Sequence, residues 1–201
     1  MANYSNIFVN EARSYTKYKE SIASLLAEGR TTNGDNSAEM QYFTTLNVQR
    51  MNRIEKTAVL SEPFIQAIQK LKNKYNLLVI SEGWCGDAAQ IVPLFQKMTE
   101  VAAGNLDLRF IFRDEHLSVM DQFLTNGTRS IPVLLILDDQ GELILKWGPR
   151  PGMLQQLLNV WRIETPEHDI WSEKLHLWYG RDRTHTTQLE LTALIESLEK
   201  D

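Results

Sequence analysis

The sequence predicts an α/β protein: a central mixed sheet of about four strands flanked by helices, with further helices added at both ends. Three observations carry this. The run Leu77-Leu78-Val79-Ile80 is continuously aliphatic, as a strand covered on both faces must be. It passes through Ser81-Glu82-Gly83-Trp84-Cys85-Gly86 into a stretch with Ile91, Phe95, Met98 and Ala102 at helical spacing. Strand and helix patterns then alternate, and two aliphatic runs flank Asp138-Asp139-Gln140-Gly141, which is hairpin chemistry.

The elements follow in order. Phe8, Ala12, Tyr15, Ile22 and Leu25-Leu26 predict a first helix stopped near Gly29. Arg30 to Asp35 is a loop, and Asn36 with Glu39 forms a candidate capping box. The helix it opens runs through Met40, Phe43, Leu46, Met51 and Ile54. A third helix starts at Ser61-Glu62-Pro63, with Phe64, Ile68, Leu71 and Tyr75 on one face. After the Cys85 helix come a strand over 106–112 and a helix with Leu117, Met120 and Leu124, ended by Asn126-Gly127. Val133–Leu137 and Leu143–Trp147 are the hairpin strands, and Leu154, Leu157-Leu158 and Trp161 mark the helix that closes the core. In the tail, a helix starts at Thr165-Pro166-Glu167 and ends at Gly180. Thr187 with Glu190 then opens a last one through Leu191, Leu194, Ile195 and Leu198. The expected organisation is one domain over 1–201: a helical extension (1–74), a core (75–162) and a second helical extension (163–201).

Composition narrows the function. A net charge of -5, with no Lys/Arg-rich block, argues against a nucleic-acid partner. The single cysteine excludes an internal disulfide. Met1 to Asn6 lacks the basic start and apolar run of a signal peptide, and no apolar stretch is long enough to span a bilayer. The expected setting is a reducing cytoplasm, with no membrane partner. His116, His168, His176 and His185 are scattered and sit at no metal-ligand spacing from Cys85, so neither a metal nor a cofactor is expected, and surface or cap positions are assigned to them.

Cys85 is the strongest chemical candidate, because a thiol at a helix start faces unpartnered N–H groups and ionises more readily. Trp-Cys-Gly-Asp-Ala at 84–88 resembles the Trp-Cys-Gly-Pro-Cys active site of thioredoxins, with Cys85 matching the attacking cysteine. Pro93 falls where that family kinks its active-site helix, and Arg129-Ser130-Ile131-Pro132-Val133-Leu134 resembles the segment carrying the family's cis-proline. The resemblance covers residues 75 to 162 and implies a thioredoxin fold, a cis Ile131–Pro132 bond and a substrate groove shaped by Pro132. Three positions depart from it: Ala88 replaces the resolving cysteine, Asp87 the intervening proline, and Val79 the buried acidic residue of the preceding strand.

Without a partner at position 88, Cys85 can form a mixed disulfide but needs an outside thiol to resolve it. The first reading is therefore a monothiol thiol–disulfide oxidoreductase, with a role in cell redox homeostasis and with protein or low-molecular-weight thiols and disulfides as partners. Cys85 would be catalytic, and Trp84, Gly86, Asp87, Ile131 and Pro132 would bind substrate. Glu82 and Asp87 disfavour the thiolate, and Arg129 offsets them if its loop docks; Glu82 and Arg129 are thus electrostatic modulators. The alternative is a non-catalytic protein-binding module on the same scaffold. A cluster-holding glutaredoxin fits less well, because Gly86-Asp87-Ala88 does not match that family's Cys-Gly-Phe-Ser signature. Each of the other candidates also has a plain reading: Trp84 as packing, Asp87 as a helix-start carboxylate, Arg50 to Arg53 as a solvated face (the alternative being that one arginine leans over the Cys85 turn), and Trp171, Trp178 and Tyr179 as tail packing.

Overall fold

The computed structural model describes residues 2–199. After a π-helical turn at Ile7–Glu11, the elements are β1 (Arg13–Ser14), α1 (Tyr15–Ala27), α2 (Ala38–Thr57), α3 (Glu62–Gln69), β2 (Tyr75–Ser81) and α4 (Gly86–Val101). Then come β3 (Leu106–Phe112), α5 (Leu117–Met120), β4 (Val133–Leu137), β5 (Leu143–Trp147), α6 (Gly152–Glu164), α7 (His168–Asp182) and α8 (His185–Leu198). The sheet order is β1-β3-β2-β4-β5. β2 and β3 are parallel and joined by α4, whereas β4 runs antiparallel to both β2 and β5. This mixed sheet with helices around it is the predicted fold class; the fifth strand is the two-residue β1 at its edge.

Burial explains the composition of the centre. Leu77 to Ser81 and Val133 to Leu137 are buried throughout, which is why those strands read as unbroken aliphatic runs. Every residue of α4 from Asp87 to Phe95 is buried as well, because β3, α2 and α3 all pack on it. On another part of the sheet, Tyr18 of α1 stacks on Phe110 with ring centroids 4.7 Å apart. α3 also meets α8, and α6 meets α7, so the helices of both terminal segments pack on the core or on each other. No helix among the described residues is long and apolar enough to cross a membrane.

Several boundaries differ from the sequence reading, each for a local polar reason. The first predicted helix is broken at Ala12, because Arg13 and Ser14 pair with Phe110 and Arg109. The Ser14 hydroxyl then caps α1 by accepting from the Lys17 N–H at 3.3 Å. At the other end of α1, Gly29 (φ +70) closes a Schellman motif, with Arg30 and Gly29 N–H groups donating to the Leu25 and Leu26 carbonyls. The cap of α2 is Ser37 rather than Asn36, whose side chain instead accepts from the Thr31 N–H. α3 ends before Leu71, and Tyr75 belongs to β2. α5 stops at Met120: Asn126 and Gly127 both have positive φ and form a tight turn in which Thr125 and Thr128 exchange backbone bonds, so they are a turn and not a helix stop. α7 runs through Gly180 to Asp182, whose carboxylate accepts from the Thr186 N–H and hydroxyl and so starts α8. The predicted Thr187–Glu190 box is therefore absent. Glu190 instead accepts from the Trp147 indole at 2.8 Å and the Gly152 N–H at 2.7 Å, tying α8 to β5 and to the start of α6.

We propose that the chain unfolds as one cooperative unit. Residues 166–201 contribute the buried side chains Leu175, Tyr179, Leu191 and Ile195, each worth about 1.5–3 kcal/mol of burial. A chain truncated at 165 is expected to melt at least about 10 °C lower by calorimetry. An unchanged melting temperature would separate the segment from the core.

Candidate functional site

The site is built where β2 ends. Gly83 and Trp84 turn the chain, and Cys85 becomes the N-cap residue of α4. Its Sγ accepts from the Ala88 N–H at 3.4 Å, and its S–H is 3.3 Å from the carbonyl oxygen of Ile131, to which it donates. The Ile131–Pro132 peptide bond is cis, and both residues are buried. Cys85 is only 7% exposed. Burial, and then the charge of Asp87, push the thiol up to about 12 against the opposing Ala88 N–H and Arg150. The helix start does act on the sulfur as the sequence suggested, but desolvation outweighs it. At neutral pH the group is a neutral thiol rather than a thiolate.

Asp87 is held by two residues the sequence reading did not connect to it. Arg150 donates to both carboxylate oxygens, from Nε at 3.2 Å and from a terminal nitrogen at 2.7 Å. The Tyr179 hydroxyl, from α7, donates at 2.6 Å. Both side chains of the ion pair are about a tenth exposed or less, and burial beside Asp87 holds the Tyr179 phenol well above its usual range. The loop bearing Arg150 is set by Gly148 (φ +117), where a Cβ would overlap the carbonyl oxygen of Pro132. No local pattern marks Arg150 or Tyr179, which reach Asp87 from 63 and 92 residues away.

The remaining predicted residues are placed as follows. Trp84 is half-buried under the Arg113 guanidinium, 4.7 Å from the ring centre. Gly86 is covered by His176: a Cβ at 86 would lie 2.7 Å from the imidazole and 4.0 Å from Arg50. His176 is thus neither a surface nor a cap residue, and burial and Arg50 lower it to about 4. Of the Arg50–Arg53 stretch, Arg50 leans over the Cys85 turn, as the alternative reading had it, while Arg53 is exposed. Arg129 is exposed and paired with Asp121 at 2.6 Å, so the charge set against Asp87 is Arg150 and not Arg129. Glu82 is fully buried, accepting from the Thr32 hydroxyl and from the Asp114 N–H at 3.0 Å. Desolvation raises it to about 7 despite those bonds.

In front of Cys85 lies a cavity of about 630 Å³. Its floor is Trp84, Cys85, Gly86 and Asp87, with Ile131 on one side. One wall is α2, through Met40, Phe43, Asn47 and Arg50; another is α7, through His168, Trp171, Leu175 and His176, so Trp171 is more than tail packing. Pro132 is buried and is not among the residues that line the space. Among the described residues no group of three or more His, Cys, Asp and Glu side chains is placed to hold a metal ion.

Residues 34–162, more than half of the chain, match a family model described as thioredoxin. The chain belongs to the thioredoxin family. The match begins well before residue 75, so it takes in α2 and α3 as well as the core. A crystal structure of a protein of unknown function from Pseudomonas aeruginosa is similar with a TM-score of 0.62 at 20% identity, covering 98% of this chain and 99% of the other. The crystal structure of an HIV epitope-scaffold is similar with a TM-score of 0.54 at 20% identity, covering 92% and 99%. At such identity these likenesses speak for the fold alone. No curated protein matches the sequence.

Two outcomes follow from the buried charges. Arg150→Ala strands the Asp87 carboxylate and is expected to cost about 3–5 kcal/mol in urea unfolding, against about 1.5–3 kcal/mol for Tyr179→Phe, which removes one bond to a charged group. Equal, small losses would mean that Asp87 is solvated. Glu82 binds its proton more tightly in the folded chain than in the unfolded one, where the carboxyl titrates near 4.5. Its contribution is therefore fully present below about pH 4.5 and is lost as pH rises through about 7. Comparing stability at pH 5 and pH 8, Glu82→Gln is expected to remove a decline of a few kcal/mol; an unaltered pH profile would show that Glu82 titrates normally.

Proposed function

We propose that this thioredoxin-family chain works as a binding module, taking a small ligand into the pocket in front of Cys85. Cys85 serves there as a neutral hydrogen-bonding thiol. The observation that carries this reading is the state of the sulfur: it is buried, pushed up to about 12, and engaged as a donor to the Ile131 carbonyl. A nucleophile for disulfide exchange must instead be a thiolate that an incoming sulfur can reach.

The pocket walls support the same reading. A protein disulfide needs an open groove, yet α2 and α7 rise on two sides of the Cys85 turn. The Ile131 carbonyl, which an extended peptide would use for pairing, already accepts from Cys85. Trp84, Gly86 and Ile131 are the assigned ligand-facing residues, whereas Asp87 and Pro132 hold the floor and its flank.

Monothiol exchange is the second reading, favoured by the Ala88 N–H on Sγ at the start of α4. In that reaction the Cys85 proton passes to solvent, and the thiolate attacks one sulfur of a disulfide. The S–S bond breaks, the leaving thiolate takes up a proton, and an external thiol later releases Cys85.

Alkylation of Cys85 against pH separates the two. Iodoacetamide is expected to react about a thousandfold more slowly than with a free cysteine at pH 7, as a thiol titrating near 12 in place of about 8.5 requires. A midpoint below 8.5 with rapid labelling would establish the exchange reading instead.

A further inference from the structure

The charge on the pocket wall runs against that of the chain. The protein carries a net charge of -5, yet Arg50, Arg113, Arg129, Arg150 and Arg162 all line the cavity, against the carboxylates of Glu39 and Asp87. Three of the guanidiniums are already matched: Arg150 by Asp87, Arg113 by Asp114 and Arg129 by Asp121. Glu39, in the first turn of α2, and Arg162 are both exposed, so solvent screens the two alike, whereas Arg50 is half-buried. Arg50 and Arg162 form no ion pair among the described residues. Arg50 donates to the neutral Asn47 side chain at 2.7 Å, and Arg162 lies 4.3 Å over the ring of Trp171.

Resting on the pocket reading above, we propose that the ligand is a small anion: an oxyanion head, carboxylate or phosphate, held by Arg50 and Arg162, with a flat apolar body against Phe43 and Trp171. Arginine suits this role because its planar fork can give two parallel hydrogen bonds to such a head. The body would lie along the aromatic wall that Phe43 and Trp171 make with His168, whose ring centre is 4.5 Å from that of Trp171 and 6.5 Å from that of Phe43. The surplus of positive charge is also felt by the groups themselves. After burial, Arg53 lowers Arg50, Arg150 lowers Arg162, and Arg50 lowers His176. A bound anion would relieve all three, most strongly at the half-buried Arg50 and His176, where such pairing is stronger than at an open surface.

The test titrates the full chain with benzoate, phenyl phosphate and the neutral benzyl alcohol, followed by calorimetry and tryptophan fluorescence. Both anions are expected to bind at least about tenfold more tightly than benzyl alcohol, and the tighter of the two names the head group. Arg50→Gln and Arg162→Gln should each weaken the anions by about tenfold, the loss of one charge-assisted bond, and leave benzyl alcohol unchanged. Arg50→Lys should fall between, and Arg181→Gln, on an exposed part of α7, should have no effect. If benzyl alcohol binds as well as the anions, or if the glutamine variants bind them normally, the oxyanion site is wrong and the pocket reading stands. If none of the three probes binds up to about 10 mM, both are wrong.

Discussion

The interaction on which the site depends is the buried Asp87–Arg150 pair with its Tyr179 bond. Asp87 lies in the first turn of α4, Arg150 in the loop before α6, and Tyr179 near the end of α7. A charge pair taken out of water loses in desolvation about what it gains in attraction, so its net worth over an apolar cluster is small. Its value here is positional. The paired fork and the phenol fix where the C-terminal helices stand relative to the Cys85 turn. That registration brings His176 against Gly86 and Trp171 over the cavity.

The same floor illustrates how one position answers to competing fields. The start of α4 offers Cys85 an N–H from Ala88, and Arg150 adds a positive charge; both favour a thiolate. Burial and Asp87 oppose them and prevail. Asp87 acts on the sulfur more strongly than its partner Arg150, so the ion pair as a whole disfavours the thiolate. The neutral thiol then completes the polar accounting of the turn by donating to Ile131. With Ala88 in place of a second sulfur, the chemistry of the motif gives way to the shape and charge of the space in front of it.

That space comes from elements outside the predicted core. A bare sheet with α4 would leave the Cys85 turn beside an open groove. α2 supplies Phe43 and Arg50 on one side, and α7 supplies His168, Trp171 and His176 on the other. The arginines concentrate there although the chain as a whole is acidic, so the pocket differs in sign from the average surface.

The sequence by itself determined the sheet and the place of the site. Its central strands, β2 and β4, contain unbroken aliphatic runs because they are covered on both faces, and the turn at Trp84-Cys85-Gly86 with the Ile131-Pro132 segment reads locally. Helix ends were less legible where a side chain chose a different partner: Asn36 turned to Thr31, Glu190 to Trp147 and Gly152, and Asp182 to Thr186. The ionisation of Cys85 was legible only in its competing causes, since burial, the winning one, is not a local property. Arg150, Tyr179 and His176 were decided by tertiary structure alone. Polar contacts between residues far apart leave no periodicity, and the sheet and the helices packed around it are what bring such residues within bonding distance of one turn.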